Sequence, residues 1–142
     1  MQALREMLGV VTVLLLVRRV PPGRLDLTRA TAQQWNDGLA RDTTLQWWEL
    51  VDPAADDEHP AAALAAVRGG DVVVRLAGLA APPGRRDRAV QVLLALVDAL
   101  RATSARTLEA APSGDHPGAE LLAILREAGF RPDADGREVV EL

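Results

Sequence analysis

The chain has 142 residues, enough for one domain with its own core, and no tract in it reads as a repeat, a linker or a low-complexity segment. A formal net charge of −4 gives no electrostatic support for binding nucleic acid or an anionic membrane, and neither partner is expected. The absence of cysteine excludes disulfides, thiolate zinc sites and a cysteine nucleophile, and two histidines, His59 and His116, are too few to suggest a metal centre.

The first apolar run, Met7 to Val17, falls well short of the ~20 residues that span a membrane. It is followed by Arg18-Arg19-Val20-Pro21-Pro22, where a secretory signal would need a small-residue cleavage site. Its β-branched Val10, Val11, Thr12 and Val13 predict a strand from Gly9 to Val20, and the location expected is cytoplasmic. Asp26 to about Ala40 predicts one or two short helices, with Thr31 and Gln34 at capping-box spacing. Thr43 to Val51 predicts a second strand, which must point Trp47 and Trp48 to opposite faces. Asp52 to Pro60 is an acidic turn, its tip Asp56-Asp57-Glu58 a solvated loop.

Ala61 to Val67 has helical propensity. Gly69-Gly70 between it and Val72-Val73-Val74 is a hairpin signal, and that signal predicts a third strand over 60–68 paired to a fourth over 71–81. Asp87 to Ala102 is the clearest helix, with Ala89, Leu93, Leu96, Val97 and Leu100 on one stripe. Thr107 to Ala111 reads as a short fifth strand. Ser113-Gly114-Asp115-His116-Pro117 then turns into a helix, Pro117 suiting its first turn. Leu121, Leu122, Leu125 and Ala128 are expected as that helix's buried face. Gly129 is expected at the left-handed cap, with Phe130 folded back on the last turn. Asp135-Gly136 signals a turn before a closing strand, Arg137 to Leu142.

Between the fourth strand and the long helix lies Pro82-Pro83-Gly84-Arg85-Arg86-Asp87-Arg88. A helix N-terminus carries unpaired N–H groups and partial positive charge, so it attracts anions. Arg85, Arg86 and Arg88 oppose that dipole unless an anion joins them, and a solvated basic loop is the plainer alternative.

This order of strand, Pro-Gly-arginine loop, long helix, strand, helix and Gly129-Phe130 resembles the GNAT acyltransferase superfamily over nearly the whole chain, best from Thr43 onward. The resemblance implies a single α/β (α+β) domain over 1–142, with a mixed, mostly antiparallel sheet flanked by helices. It implies acetyl-CoA or another acyl-CoA as cosubstrate, with pantetheine held by backbone at Leu79, Ala80 and Ala81. The family's pyrophosphate loop, Arg/Gln-x-x-Gly-x-Gly/Ala, falls on Arg85-Arg86-Asp87-Arg88-Ala89-Val90, so Arg85, Arg86, Arg88, Ala89 and Val90 become the cofactor-binding candidates. Arg85 matches the first position, while Arg88 and Val90 replace the two glycines that allow close approach of a ligand to backbone. Gly118 stands where the family usually has Asn, and Leu125 where it has the tyrosine that protonates the departing thiolate. The chain contains no tyrosine. The fourth strand offers Arg75 where a glutamate base is frequent.

Acyl transfer to an amine needs a base and an acid. Asp115 and His116, after the fifth strand, are the catalytic candidates, with helix capping by Ser113 and Asp115 as the competing reading. Glu49 is either a surface carboxylate or a lining group of the acceptor cleft, which Trp47 or Trp48 would wall. The function expected is N-acyl transfer to a small-molecule or peptide amine. The alternative is a non-catalytic GNAT-like binding or regulatory module. A homodimer is expected from the exposed edge of a small sheet.

Overall fold

The structure is a computed structural model that describes residues 14–110 and 119–142. Its strands are β1 (Leu16–Arg19), β2 (Gln46–Val51), β3 (Ala63–Arg68), β4 (Val73–Ala80), β5 (Thr107–Ala110), β6 (Arg131–Pro132) and β7 (Glu138–Glu141). They form one seven-stranded sheet in the order β1-β2-β3-β4-β5-β7-β6. Every neighbouring pair is antiparallel except β4 and β5, which run parallel. A parallel pair needs a long crossover, and α3 (Arg86–Leu100) supplies it. The remaining helices are α1 (Leu25–Trp35), α2 (Asp37–Ala40) and α4 (Ala119–Glu127), with a 3-10 turn at Pro22–Arg24 leading into α1.

The sheet separates two cores. On one face Leu93 and Leu96 of α3, Leu125 of α4, Leu108 and Phe130 pack against Ala63, Ala65 and Val67 of β3. On the other, Ala32 of α1 and Leu39 of α2 pack against Trp47, Leu64, Ala66 and Ala80. β3 is buried along Ala63 to Val67 because both faces are covered, which explains its near-continuous apolar sequence. Its alanines favour helix locally, but burial between two helical layers and the Gly69-Gly70 turn set the outcome. Trp47 is 2% exposed in the second core, and Trp48 packs against the first, as alternation on β2 requires.

Several expectations are corrected. The first strand begins at Leu16, and the part expected over 9–13 lies outside the described residues. Thr31 does not cap a helix. α1 has already started at Leu25, and Thr31 Oγ1 donates to the Leu27 carbonyl 2.8 Å away, a mid-helix bond to the preceding turn. Leu122 of α4 is 39% exposed, and Ile124 takes its place in the core. Positions 121, 124, 125 and 128 share one helical face, and 122 falls a quarter-turn or more off it.

The C-terminus of α4 is closed by a Schellman motif. Phe130 N–H donates to Leu125 O at 3.0 Å and Gly129 N–H to Arg126 O at 3.1 Å. Gly129 takes the left-handed conformation (φ +99°) this needs, and Phe130 is driven fully into the core. The Asp135-Gly136 turn is present, with Asp133 Oδ1 accepting from the N–H groups of Asp135 and Arg137, both at 2.9 Å.

Candidate functional site

A break in the sheet creates the site. β4 pairs with β3 from Arg75↔Arg68 and Leu76↔Val67, then skips Ala77 and resumes at Gly78↔Ala66. Ala77 is therefore the extra residue of a β-bulge, which bends a strand and re-aims its side chains. On the other edge β4 is parallel to β5 only from Val73↔Thr107 to Arg75↔Glu109. Past that point the two strands part. The gap between them opens into a cleft of about 700 Å³. Leu76 to Leu79 and Ala81 form one wall, Ala110 and Glu138 the opposite one. Leu121, Ile124 and Leu125 of α4 line it, Pro82 to Arg86 and Ala89 form its mouth, and Trp35 and Asn36 close one end. Gly78 also makes a close approach possible, because a Cβ there would stand 3.1 Å from Leu39 Cδ1.

The cleft sorts the cofactor-binding candidates. Leu79, Ala81, Arg85, Arg86 and Ala89 line it. Ala80 does not, since alternation turns it into the second core at 2% exposure. Val90 lies in the first core beneath α3, and the Arg88 guanidinium donates to Gln91 Oε1 at 2.9 Å. Neither Arg88 nor Val90 is among the lining residues, so neither is brought to the cleft. The catalytic candidates Asp115 and His116, with Ser113 and Gly118, lie outside the described residues.

At the mouth, Gly84 takes a left-handed conformation (φ +76°), and the turn is closed by Arg85 N–H donating to Pro82 O at 3.0 Å. Arg85, the residue before α3, makes no side-chain cap, which leaves first-turn N–H groups for an outside acceptor. The arginines there have internal partners. Arg85 holds Asp87 through Nε–Oδ1 at 3.0 Å and Nη2–Oδ2 at 2.9 Å, and Arg86 Nη2 meets Glu127 Oε2 at 3.0 Å. The Arg85 hydrogen bonds hold the Asp87 carboxyl down at about 2, and Asp87 in turn raises Arg85.

Three features escape the sequence. Asn36, after α1, donates from Nδ2 to the Leu79 carbonyl at 3.1 Å. Glu138 lines the cleft, buried and held by the Arg126 guanidinium through both carboxylate oxygens. Glu109 is buried against Arg75 at 2.8 Å. An acidic residue in the apolar run Thr107–Ala111, next to a strand carrying Arg75, was the signal available for that pair.

Glu49 is neither a surface carboxylate nor a cleft residue. It is 0% exposed and bonded to Arg24 Nη2 at 2.8 Å and to Arg18 Nε at 2.9 Å. The bond to Glu49 is also the main cause of a raised pKa at Arg24. Arg24 further donates to the Asp57 and His59 carbonyls, so this network pins the acidic 52–60 turn to β2.

Among the described residues no cluster of three His, Asp or Glu is placed to hold a metal, and no helix is long and apolar enough to cross a membrane. The geometry offers an exposed strand edge for an extended chain, an apolar wall and a cationic mouth with free helix amides.

No protein-family model matches the chain. No curated protein matches it either. Solved structures do. A putative acetyltransferase of the GNAT family from Desulfovibrio desulfuricans superposes with a TM-score of 0.64 at 19% identity, over 91% of this chain and 98% of that one. A GNAT family N-acetyltransferase from Escherichia coli, solved in complex with CoA, gives 0.64 at 16% identity, over 92% of this chain and 83% of that one. The ribosomal-protein-S18-alanine N-acetyltransferase from Escherichia coli gives 0.58 at 18% identity, over 90% of each chain. The fold is the GNAT fold, a mixed and mostly antiparallel sheet flanked by helices.

Proposed function

We propose that this GNAT-fold chain is an acyl-CoA-dependent N-acyltransferase, moving an acetyl or other acyl group to a small-molecule or peptide amine. One observation carries the reading. The cleft opens where bulged β4 leaves β5, and its mouth is the start of α3 with Arg85 and Arg86 beside it. An extended pantetheine arm suits the β4 wall at Leu79 and Ala81, and its phosphates suit the α3 amides and the two arginines. A solved protein of the same fold holds CoA.

In the reaction the amine nitrogen attacks the thioester carbonyl carbon, the carbon–sulfur bond breaks, and the proton lost by the amine ends on the sulfur. Alignment of amine and thioester supplies much of the rate in such a site. In this reading Asp115 and His116, which follow β5 in the sequence, move the proton. The homodimer belongs to the same reading, through the sheet edge at β1, and sedimentation tests it.

Two observations favour a non-catalytic binding module as the second reading. The chain has no tyrosine to protonate a leaving thiolate, and Arg85 and Arg86 already have carboxylate partners. Calorimetric titration with acetyl-CoA, followed by thiol release with a panel of amines, separates the readings. Amine-dependent thiol release supports the enzyme. Silence across the panel supports the module, and no binding at millimolar acetyl-CoA removes the enzyme and leaves the module with another ligand or partner.

A further inference from the structure

The two arginines at the cleft mouth are each matched to a carboxylate. Arg85 grips Asp87 with two parallel hydrogen bonds, at 3.0 and 2.9 Å, the fork geometry a guanidinium also uses on phosphate. Arg86 reaches across to Glu127 at the C-terminal end of α4, at 3.0 Å. Both arginines line the cleft and both acids are exposed. From these pairings we propose that Asp87 and Glu127 are built-in occupants of the donor's phosphate positions, which a phosphorylated acyl donor must displace to bind. This rests on the acyl-CoA reading above and adds to it the residues that set donor affinity.

Exposed ion pairs contribute little, because water and salt screen both partners. A pyrophosphate carries more charge than either carboxylate and also meets the α3 amides, so exchange favours the ligand without being free. The cost of exchange lowers donor affinity. It falls only on donors with phosphates, since an acyl-pantetheine lacking them never reaches the mouth. Glu127 also ties the mouth to α4, which lines the cleft, so release of Arg86 loosens one wall as the donor enters.

The test is calorimetry on the full chain with acetyl-CoA and with S-acetylpantetheine, circular dichroism confirming that each variant is folded. Asp87→Asn and Glu127→Gln are each expected to tighten acetyl-CoA roughly two- to fivefold, the equilibrium equivalent of one exposed ion pair. Neither should change S-acetylpantetheine. In an Arg85→Gln background, Asp87→Asn should give no further gain, because the arginine it frees is gone.

If the natural chain binds acetyl-CoA and the two variants bind it equally or more weakly, the proposal falls and the acyl-CoA reading stands. A gain that persists in the Arg85→Gln background also overturns it, by showing a through-space effect of charge alone. A natural chain that is silent while the chain carrying both Asp87→Asn and Glu127→Gln binds supports it. Silence from every form removes the proposal and the reading together.

Discussion

Asn36 and Leu79 join the closed end of the cleft to its β4 wall. The Asn36 Nδ2 donates to the Leu79 carbonyl at 3.1 Å, and its Oδ1 accepts from Leu39 N–H at 3.3 Å, capping α2. One side chain thus starts a helix and fixes that helix to the β4 wall. Asn36→Ala loses both bonds and is expected to lower stability by about 0.5–2 kcal/mol, the usual cost of a lost cap. Asn36→Asp keeps the cap acceptor but has no donor for Leu79. Urea denaturation of the two variants separates the roles. Equal losses would mean the Leu79 bond governs, and a near-natural Asn36→Asp would mean the cap does.

Glu49 is the charged residue with the largest expected loss. Its carboxylate has no water contact and two guanidinium partners, Arg24 and Arg18. Removing one side of a buried pair strands the other, which costs about 3–5 kcal/mol. Glu49→Ala and Arg24→Ala should each fall in that range by chemical denaturation. The double replacement Arg24→Met with Glu49→Leu should cost much less than the sum, because the remaining partner, Arg18, is solvent-exposed and no buried charge is then left alone. Additive losses would refute the coupling.

The sequence showed most of the architecture because the strongest signals are local and periodic. The stripe Ala89, Leu93, Leu96, Val97 and Leu100 defines α3, and Gly69-Gly70 defines the β3–β4 hairpin against alanine's helical preference. The cleft was visible only in part, for a physical reason. Asn36 and Leu79 lie far apart in sequence, as do Arg86 and Glu127. No local pattern announces such pairings. The bulge at Ala77 leaves no mark of its own, and it decides that Leu79 and Ala81 face the cleft while Ala80 does not. Glu49 looked like a surface group because its partners, Arg18 and Arg24, come from the distant β1 region.

The α4 cap predicts a graded pair of losses. Phe130 is fully buried among Leu93, Leu96 and Leu125, so Phe130→Ala should cost about 3–5 kcal/mol. Gly129→Ala adds a Cβ at φ +99° with open space around it, so only backbone strain opposes it, at roughly 1–2 kcal/mol. Thermal unfolding that ranked the glycine variant below the phenylalanine variant would show that the turn, and not the core, limits this end of the fold.

Asp87 predicts how the mouth responds to acid. Its carboxyl is held at about 2 against an ordinary value of 3.8, first by the Arg85 hydrogen bonds. A group whose folded pKa is depressed stabilises the fold above its unfolded value and loses that contribution as pH falls through the folded one. The natural chain should therefore lose stability relative to Asp87→Asn between about pH 4 and pH 2. Other carboxylates titrate in the same window, but they are common to both chains and cancel in the difference. The group is fully exposed, so the difference is expected to be small and to shrink in high salt. Denaturant titrations of both chains at pH 5, 3 and 2 in low salt measure it directly. A difference that stays constant with pH would mean that Asp87 does not hold Arg85 in solution.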